Sequence, residues 1–232
     1  MGLLGYIIKN TVGKAVAGKV AEAGVKACDK ACEKLEEKSN QQVEKFFNEA
    51  NGHTRLIVAQ QPYTYKEKFQ IYDEFENVKY VVEGKLISAT HNLTLFDSNE
   101  KNVLGRVKEK LISIRAPFSF EDKPQDFVIE LNGQKLGKMK SRFALTKRKF
   151  EFTFNDWTLE GNVLGLKYKV LSGSETIMEV KETAFTTGDV YYIDIAKPEN
   201  ELICILILLA IDSSHTSKSD DNKRARRHHK LW

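Results

Sequence analysis

Leu202-Ile203-Cys204-Ile205-Leu206-Ile207-Leu208-Leu209-Ala210-Ile211 is an unbroken apolar run, approached through Pro198-Glu199-Asn200-Glu201 and left through Asp212-Ser213-Ser214. A membrane-spanning helix needs about 20 apolar residues, so the run has about half the required length and reads as a helix buried on every side. A strand covered on both faces shows the same pattern on periodicity alone. The acids before the run favour the helix, because carboxylates are stabilised by the positive end of a helix dipole. Asp212-Ser213-Ser214 then supplies a polar stop. A helix over 199–211 with no polar face needs a container.

The residues before it provide one. From about Arg55 to Ala196 the chain is a series of short alternating runs: Val78, Tyr80 and Val82; Phe127, Ile129 and Leu131; Phe150, Phe152 and Phe154. Period-two alternation marks strands with one buried face. Asn132-Gly133 is a strong hairpin signal, and Ser172-Gly173-Ser174 and Thr187-Gly188-Asp189 read as further turns. Roughly ten to twelve strands result, with little helical periodicity between them, which favours antiparallel connections. So many strands require closure or a second sheet to protect their edges. The predicted fold is therefore mainly β, a closed antiparallel barrel enclosing the hydrophobic C-terminal helix.

Residues 1–52 read as a helical arm and linker. Leu4, Ile8, Val12, Val16 and Val20, continued by Cys28, Cys32 and Leu35, keep one apolar stripe on a helix, and Lys9, Lys14 and Lys19 occur early with no acid among them. Such a helix over residues 3–38 packs on its own domain, self-associates, binds a partner protein, or lies on an anionic membrane. The polar stretch from Ser39 to Gly52 reads as the arm's end and linker. The barrel is expected over 53–216 and a disordered basic tail over 217–232.

Bulk composition is permissive. The chain has 232 residues, 41% hydrophobic content and a formal net charge of +4, so only local clustering of basic residues speaks for an anionic partner. Three cysteines make no paired disulfide framework, and no charged segment precedes the first apolar run. Both observations favour a cytoplasmic location.

In their order and spacing several stretches resemble the LURP-one-related family, which belongs to the tubby C-terminal-like and phospholipid-scramblase-like superfamily. They are Phe69-Gln70-Ile71-Tyr72-Asp73, Val82-Glu83-Gly84-Lys85, Leu93-Thr94-Leu95-Phe96-Asp97, Trp157-Thr158-Leu159-Glu160-Gly161, Asp189-Val190-Tyr191-Tyr192-Ile193-Asp194-Ile195 and the helix closing on Ile211-Asp212. The resemblance runs from about Tyr63 to Ser214 and implies a twelve-stranded barrel filled by a central helix. Tubby domains bind phosphoinositides through basic barrel residues, and scramblase-like relatives are tied to membranes and calcium. Many LURP-one-related proteins have no assigned role, and a shared fold does not transmit an activity. Asp212 matches the family's acid at the helix end, where a structural role accepting hydrogen bonds from backbone donors at the rim is expected; Trp157 is a structural position as well.

The chemistry that stands out lies between Lys135 and Lys149. Lys138, Lys140 and Arg142 share one strand face, and Lys147 and Lys149 face outward on the next, because Phe150, Phe152 and Phe154 take the inward side. With Ala144-Leu145-Thr146 as the turn, Arg142 faces Lys147 and Lys140 lies near Lys149. Like charges opposed across a hairpin are destabilising unless something anionic covers them, and a phospholipid or phosphoinositide headgroup fits. A solvated edge hairpin, with lysines blocking edge-to-edge pairing, is the plain alternative. The tail cluster Lys223, Arg224, Arg226 and Arg227 suits anionic lipid or nucleic acid, although the strands offer no interleaved aromatic platform for bases.

Catalysis finds no constellation. His53, His91 and His215 lie far apart with no acid or thiol at recognisable spacing. Cys28 and Cys32 lack further metal ligands nearby, and Asp97-Ser98-Asn99-Glu100-Lys101-Asn102 has Asn102 where a calcium loop needs glycine, so it reads as a turn. The expected function is a non-enzymatic binding module without cofactor or metal, peripheral at the membrane. A soluble protein-interaction scaffold is the first alternative, and nucleic-acid binding through the tail the second.

Overall fold

The structure, a computed structural model, describes residues 41, 52–61, 68–84, 90–110, 124–144, 147–162, 167–182 and 190–228; at 143–144, 147–148, 162, 182 and 215–228 it describes backbone alone. Among the described residues, twelve strands precede one long helix. They are β1 (Thr54–Gln60), β2 (Lys68–Tyr72), β3 (Val78–Gly84), β4 (Asn92–Asp97), β5 (Val103–Lys110) and β6 (Gln125–Leu131). After them come β7 (Gln134–Ala144), β8 (Lys147–Phe152), β9 (Trp157–Asn162), β10 (Lys167–Ser172), β11 (Glu175–Glu182) and β12 (Val190–Ile195). A 3-10 turn, Pro198–Asn200, leads into α1 (Glu201–His228).

The strands form one sheet in the order β8-β7-β6-β5-β4-β3-β2-β1-β12-β11-β10-β9. Chain neighbours pair antiparallel, and β1 pairs with β12. Only β8 and β9 are not joined by a ladder among the described residues. They meet instead at the 153–156 turn, where the Phe152 and Phe154 rings contact edge-on at 5.7 Å and Thr153 N donates to the Lys138 carbonyl at 2.9 Å. The barrel is thus nearly closed, with its seam at β8/β9.

α1 fills the barrel. Cys204 through Ile211 are buried in one cluster with the inward residues of the strands, including Leu56, Phe69, Val107, Phe127, Met139 and Ile193. Burying a Leu or Ile side chain contributes about 1.5–3 kcal/mol, while fixing each backbone residue costs about 1–2 kcal/mol. A helix with no polar face is therefore stable only if its whole circumference is covered. Gly105 on β5 makes room for it, since a Cβ there would stand 2.8 Å from Leu206 Cδ1. At the helix start Glu201 pairs with Lys79 on β3 at 2.7 Å. Burial, then the hydrogen bond to and charge of Glu201, push the Tyr80 phenol above its ordinary range.

The turns follow their residue types. Asn132 (φ 49°) and Gly133 (φ 78°) both take the left-handed conformation that a two-residue hairpin demands. Asp97 closes its turn by accepting from the backbone N–H groups of Lys101 (2.9 Å) and Asn102 (3.2 Å) and from Asn102 Nδ2 (2.6 Å). Asp73 does the same for Phe75 and Asn77.

Two boundaries differ from expectation. The helix does not end at Ile211 but continues as helical backbone to His228, through most of the stretch expected to be without structure. Ser213 Oγ donates to the Leu209 carbonyl at 2.8 Å and Ser214 Oγ to the Ile211 carbonyl at 2.6 Å; such back-bonding lets serine sit inside a helix. No Gly or Pro follows up to Trp232 to break it. Gln41, within the expected linker, is also helical. The arm over 3–38, the thiols Cys28 and Cys32, and Thr187-Gly188-Asp189 lie outside the described residues.

Candidate functional site

The basic stretch lies on β7 and β8 at one end of the sheet. Met139 and Ser141 are fully buried, so Lys138, Lys140 and Arg142 face outward, as alternation requires. On β8, Phe150 is buried and Lys149 exposed. The register corrects the expected pairing, because Ala144 pairs with Lys147, Arg142 with Lys149 and Lys140 with Glu151. β7 ends at Ala144 and β8 begins at Lys147; Leu145 and Thr146 lie outside the described residues. A displacement by two residues preserves which side chains face out, whereas a slip of one would have inverted them.

The next strand supplies acids. Asp126 on β6 lies opposite Lys140 on one side and Lys110 on the other, so Lys110, Asp126, Lys140 and Glu151 alternate in sign across β5 to β8. Arg142 leaves Lys149 and reaches diagonally, its Nη2 donating to Asp126 Oδ1 at 2.7 Å. Its Nη1 donates to the carbonyls of Gln125 (3.2 Å) and Ser141 (3.0 Å). Arg142 is thereby engaged in tying β7 to β6. One row along, Glu130 holds Lys108 at 2.7 Å, with Arg106 at 3.9 Å.

Elsewhere on the wall the strand cations are matched. Arg55, Lys68, Lys79, Lys167, Lys169 and Lys181, which are all the cations of β1 to β3, β10 and β11, stand 3.9 Å or closer to a carboxylate. Three of them surround Glu179. Desolvation acts to raise its carboxyl, but the hydrogen bond from Lys169 and the charges of Lys181, Lys169 and Lys167 hold it below the usual range. Among the described residues, the strand cations without an ion pair are Lys110, Lys135, Lys138, Lys140 and Lys149, all between β5 and β8. The side chain of Lys147 lies outside the described residues, as do those of Lys223, Arg224, Arg226 and Arg227, where the backbone is helical.

The two structural positions sit in the core's shell. Trp157 opens β9 and packs partly buried against the cluster. Asp212 is 4% exposed and accepts a hydrogen bond from the Tyr191 phenol. His53, which has no acid at recognisable spacing in the sequence, meets a distant one: its Nδ1 is 2.7 Å from Asp194 Oδ1, and Arg55 Nε donates to Asp194 Oδ2 at 3.1 Å. Positions so distant in sequence are joined by the β1/β12 ladder, which opposes Arg55 to Asp194. The acid that sequence reasoning omitted at the basic face, Asp126, had a usable signal. Asp126 and Glu130 alternate with the inward Phe127 and Ile129.

The LURP-one-related family matches residues 54–212, from the first residue of β1 to the acid that meets Tyr191. The chain is 25% identical to the uncharacterized protein YxjI of Bacillus subtilis (strain 168) over 167 residues, 72% of this chain and 97% of that one. No solved structure matches the chain. With more than half its length covered, the chain belongs to the LURP-one-related family.

Proposed function

We propose that this member of the LURP-one-related family is a non-enzymatic binding module that meets anionic phospholipid or phosphoinositide headgroups through the outer face of β7 and β8. The observation that carries this reading is the concentration of unpaired strand cations there, on a wall whose other cations are largely neutralised. Lys138 and Lys149 are the principal contacts, with Lys135 beside them. Lys140 contributes less because Asp126 and Glu151 flank it, and Arg142 is engaged with Asp126. A basic residue near an acidic bilayer contributes about 1 kcal/mol, so three or four give reversible, salt-sensitive association without insertion. The site of action is then the cytoplasmic face of a membrane, with the protein peripheral to it.

Co-sedimentation of the full chain with vesicles tests this reading. Binding to phosphatidylserine or phosphoinositide vesicles at low salt, weaker at physiological salt and absent with neutral vesicles, supports it; equal behaviour with all three overturns it.

A soluble protein-interaction scaffold has an observation of its own. β8 is an end strand of the sheet, and lysines on an end strand keep it from pairing with another sheet, which accounts for Lys149 with no ligand. That reading predicts no vesicle binding at any salt concentration.

A further inference from the structure

The ladder between β6 and β7 is interrupted at one place. Glu130 pairs with Lys135 and Ile129 with Gly137, so Leu136 is an extra residue on β7 with no partner across the ladder. A bulge of this kind bends its strand and re-aims a side chain. Beyond it the regular alternation resumes. A Cβ on Gly137 would meet Phe154 at 2.9 Å, and Met139, two residues on, is fully buried. Leu136 itself is 38% exposed and lies outside the core cluster.

Single exposed leucines are ordinary; the surroundings of this one are not. Two rows of outward residues cross the wall beside it from β4 to β7. One runs Thr94, Arg106, Glu130, Lys135, and the other Asn92, Lys108, Val128, Lys138. They hold four cations and one acid, and Lys108 stands 2.7 Å from that acid. Lys135 and Lys138, on either side of Leu136, have no ion pair among the described residues. Val128, between Lys108 and Lys138, adds a second apolar group to the patch. The other large apolar side chains exposed among the described residues are placed differently. Phe75 stands between Glu74 and Glu76, which an acidic surface repels, and Val103 pairs with the half-buried Phe96.

We infer that Leu136 is a bilayer anchor, entering the boundary between headgroups and acyl chains of an acidic membrane while Lys135 and Lys138 meet the phosphates around it. The inference rests on the headgroup reading above and adds an apolar contact that a soluble phosphate cannot satisfy. The arrangement matches what such a boundary offers, with anionic groups at the level of the lysine ammoniums and hydrocarbon just below them. Lys149, opposite Arg142, lies about 20 Å further along the hairpin at about 3.3 Å per residue. Contacts at both ends lay β7 along the membrane rather than standing it on end.

Co-sedimentation with phosphatidylserine vesicles of the full chain and of three variants at position 136 tests the inference. Leu136→Ala should weaken binding about three- to tenfold at an unchanged salt slope, because the cations at the interface are the same, and Leu136→Met should retain it. In Leu136→Trp the added tryptophan should be quenched by lipid brominated in its acyl chains, measured against the parent. Parent binding that Leu136→Ala leaves intact, or no added quenching on bound vesicles, overturns the anchor and leaves a purely electrostatic headgroup surface standing. Absence of binding by the parent removes the headgroup reading and the anchor together. Binding to polyglutamate with the same dependence on Leu136, without quenching on vesicles, would give the patch to an acidic protein and overturn the inference.

Discussion

Arg142 stands directly across the hairpin from Lys149 and turns away from it, its guanidinium 2.7 Å from Asp126 on the other flank of β7. Like charges in register destabilise a sheet, and here the neighbouring strand relieves one of them. Asp126→Asn removes that relief. The pair is partly exposed, so the loss of stability should be small, about 0.5–1 kcal/mol in urea unfolding. The same variant frees a cation on the proposed headgroup face, so binding to acidic vesicles should strengthen and its salt dependence steepen.

The approach of α1 to β5 is limited by Gly105. A methyl group there meets Leu206 and, at 3.1 Å, the Glu130 carbonyl. Gly105→Ala should destabilise by about 1–3 kcal/mol through overpacking, read as a lower urea midpoint at unchanged slope. Gly105→Ala combined with Leu206→Ala should recover part of the overpacking loss, because the clashing side chain is shortened.

Midway along the helix, Tyr191→Phe deletes the phenol that donates to Asp212. A buried hydrogen bond lost in this way costs about 1–2 kcal/mol, and a lower thermal midpoint would register it. Vesicle binding should be unaffected, since neither residue lies on the outer face of β7 and β8.

Cys204 is fully buried, and burial, helped by the charge of Glu201, pushes its thiol up to about 12. The unfolded thiol ionises near 9.0. Between those values the unfolded chain alone releases the proton, so stability should fall as pH rises above 9. In the native chain at pH 8, peptide mapping should find Cys204 unmodified by iodoacetamide, with alkylation appearing only after denaturation.

Glu179 works in the opposite direction. Its folded carboxyl ionises below the ordinary 4.5 because three lysines surround it. A depressed carboxyl adds stability that is complete above the unfolded value and disappears as pH falls through the folded one. Glu179→Gln should thus be less stable than the parent at pH 7, with the difference shrinking below pH 4.5 in parallel urea titrations.

Much of the architecture is written locally. Ten apolar residues without a break, alternation on either side of Asn132-Gly133, and acids ahead of Leu202 depend on neighbours in sequence, and the barrel and its helix follow from them. The helix end does not, because whether Ser213 and Ser214 stop a helix or bond back into it depends on their surroundings. The candidate site divides the same way. Outward projection of Lys138, Lys140 and Lys149 follows from period two, whereas the neutralising role of Asp126 depends on which strand lies beside β7. His53 with Asp194 and Tyr191 with Asp212 depend on pairings and packing across the barrel, which no local pattern encodes.

The most direct measurement compares two variants of equal charge by vesicle co-sedimentation. One replaces Lys138, Lys140 and Lys149 with alanine; the other replaces Lys101, Lys167 and Lys197, which lie elsewhere on the barrel. The account predicts that the first loses binding to phosphatidylserine and phosphoinositide vesicles while the second keeps most of it. Equal loss in both would mean that net charge alone draws the protein to the bilayer, and unchanged binding in the first would contradict a headgroup surface on β7 and β8.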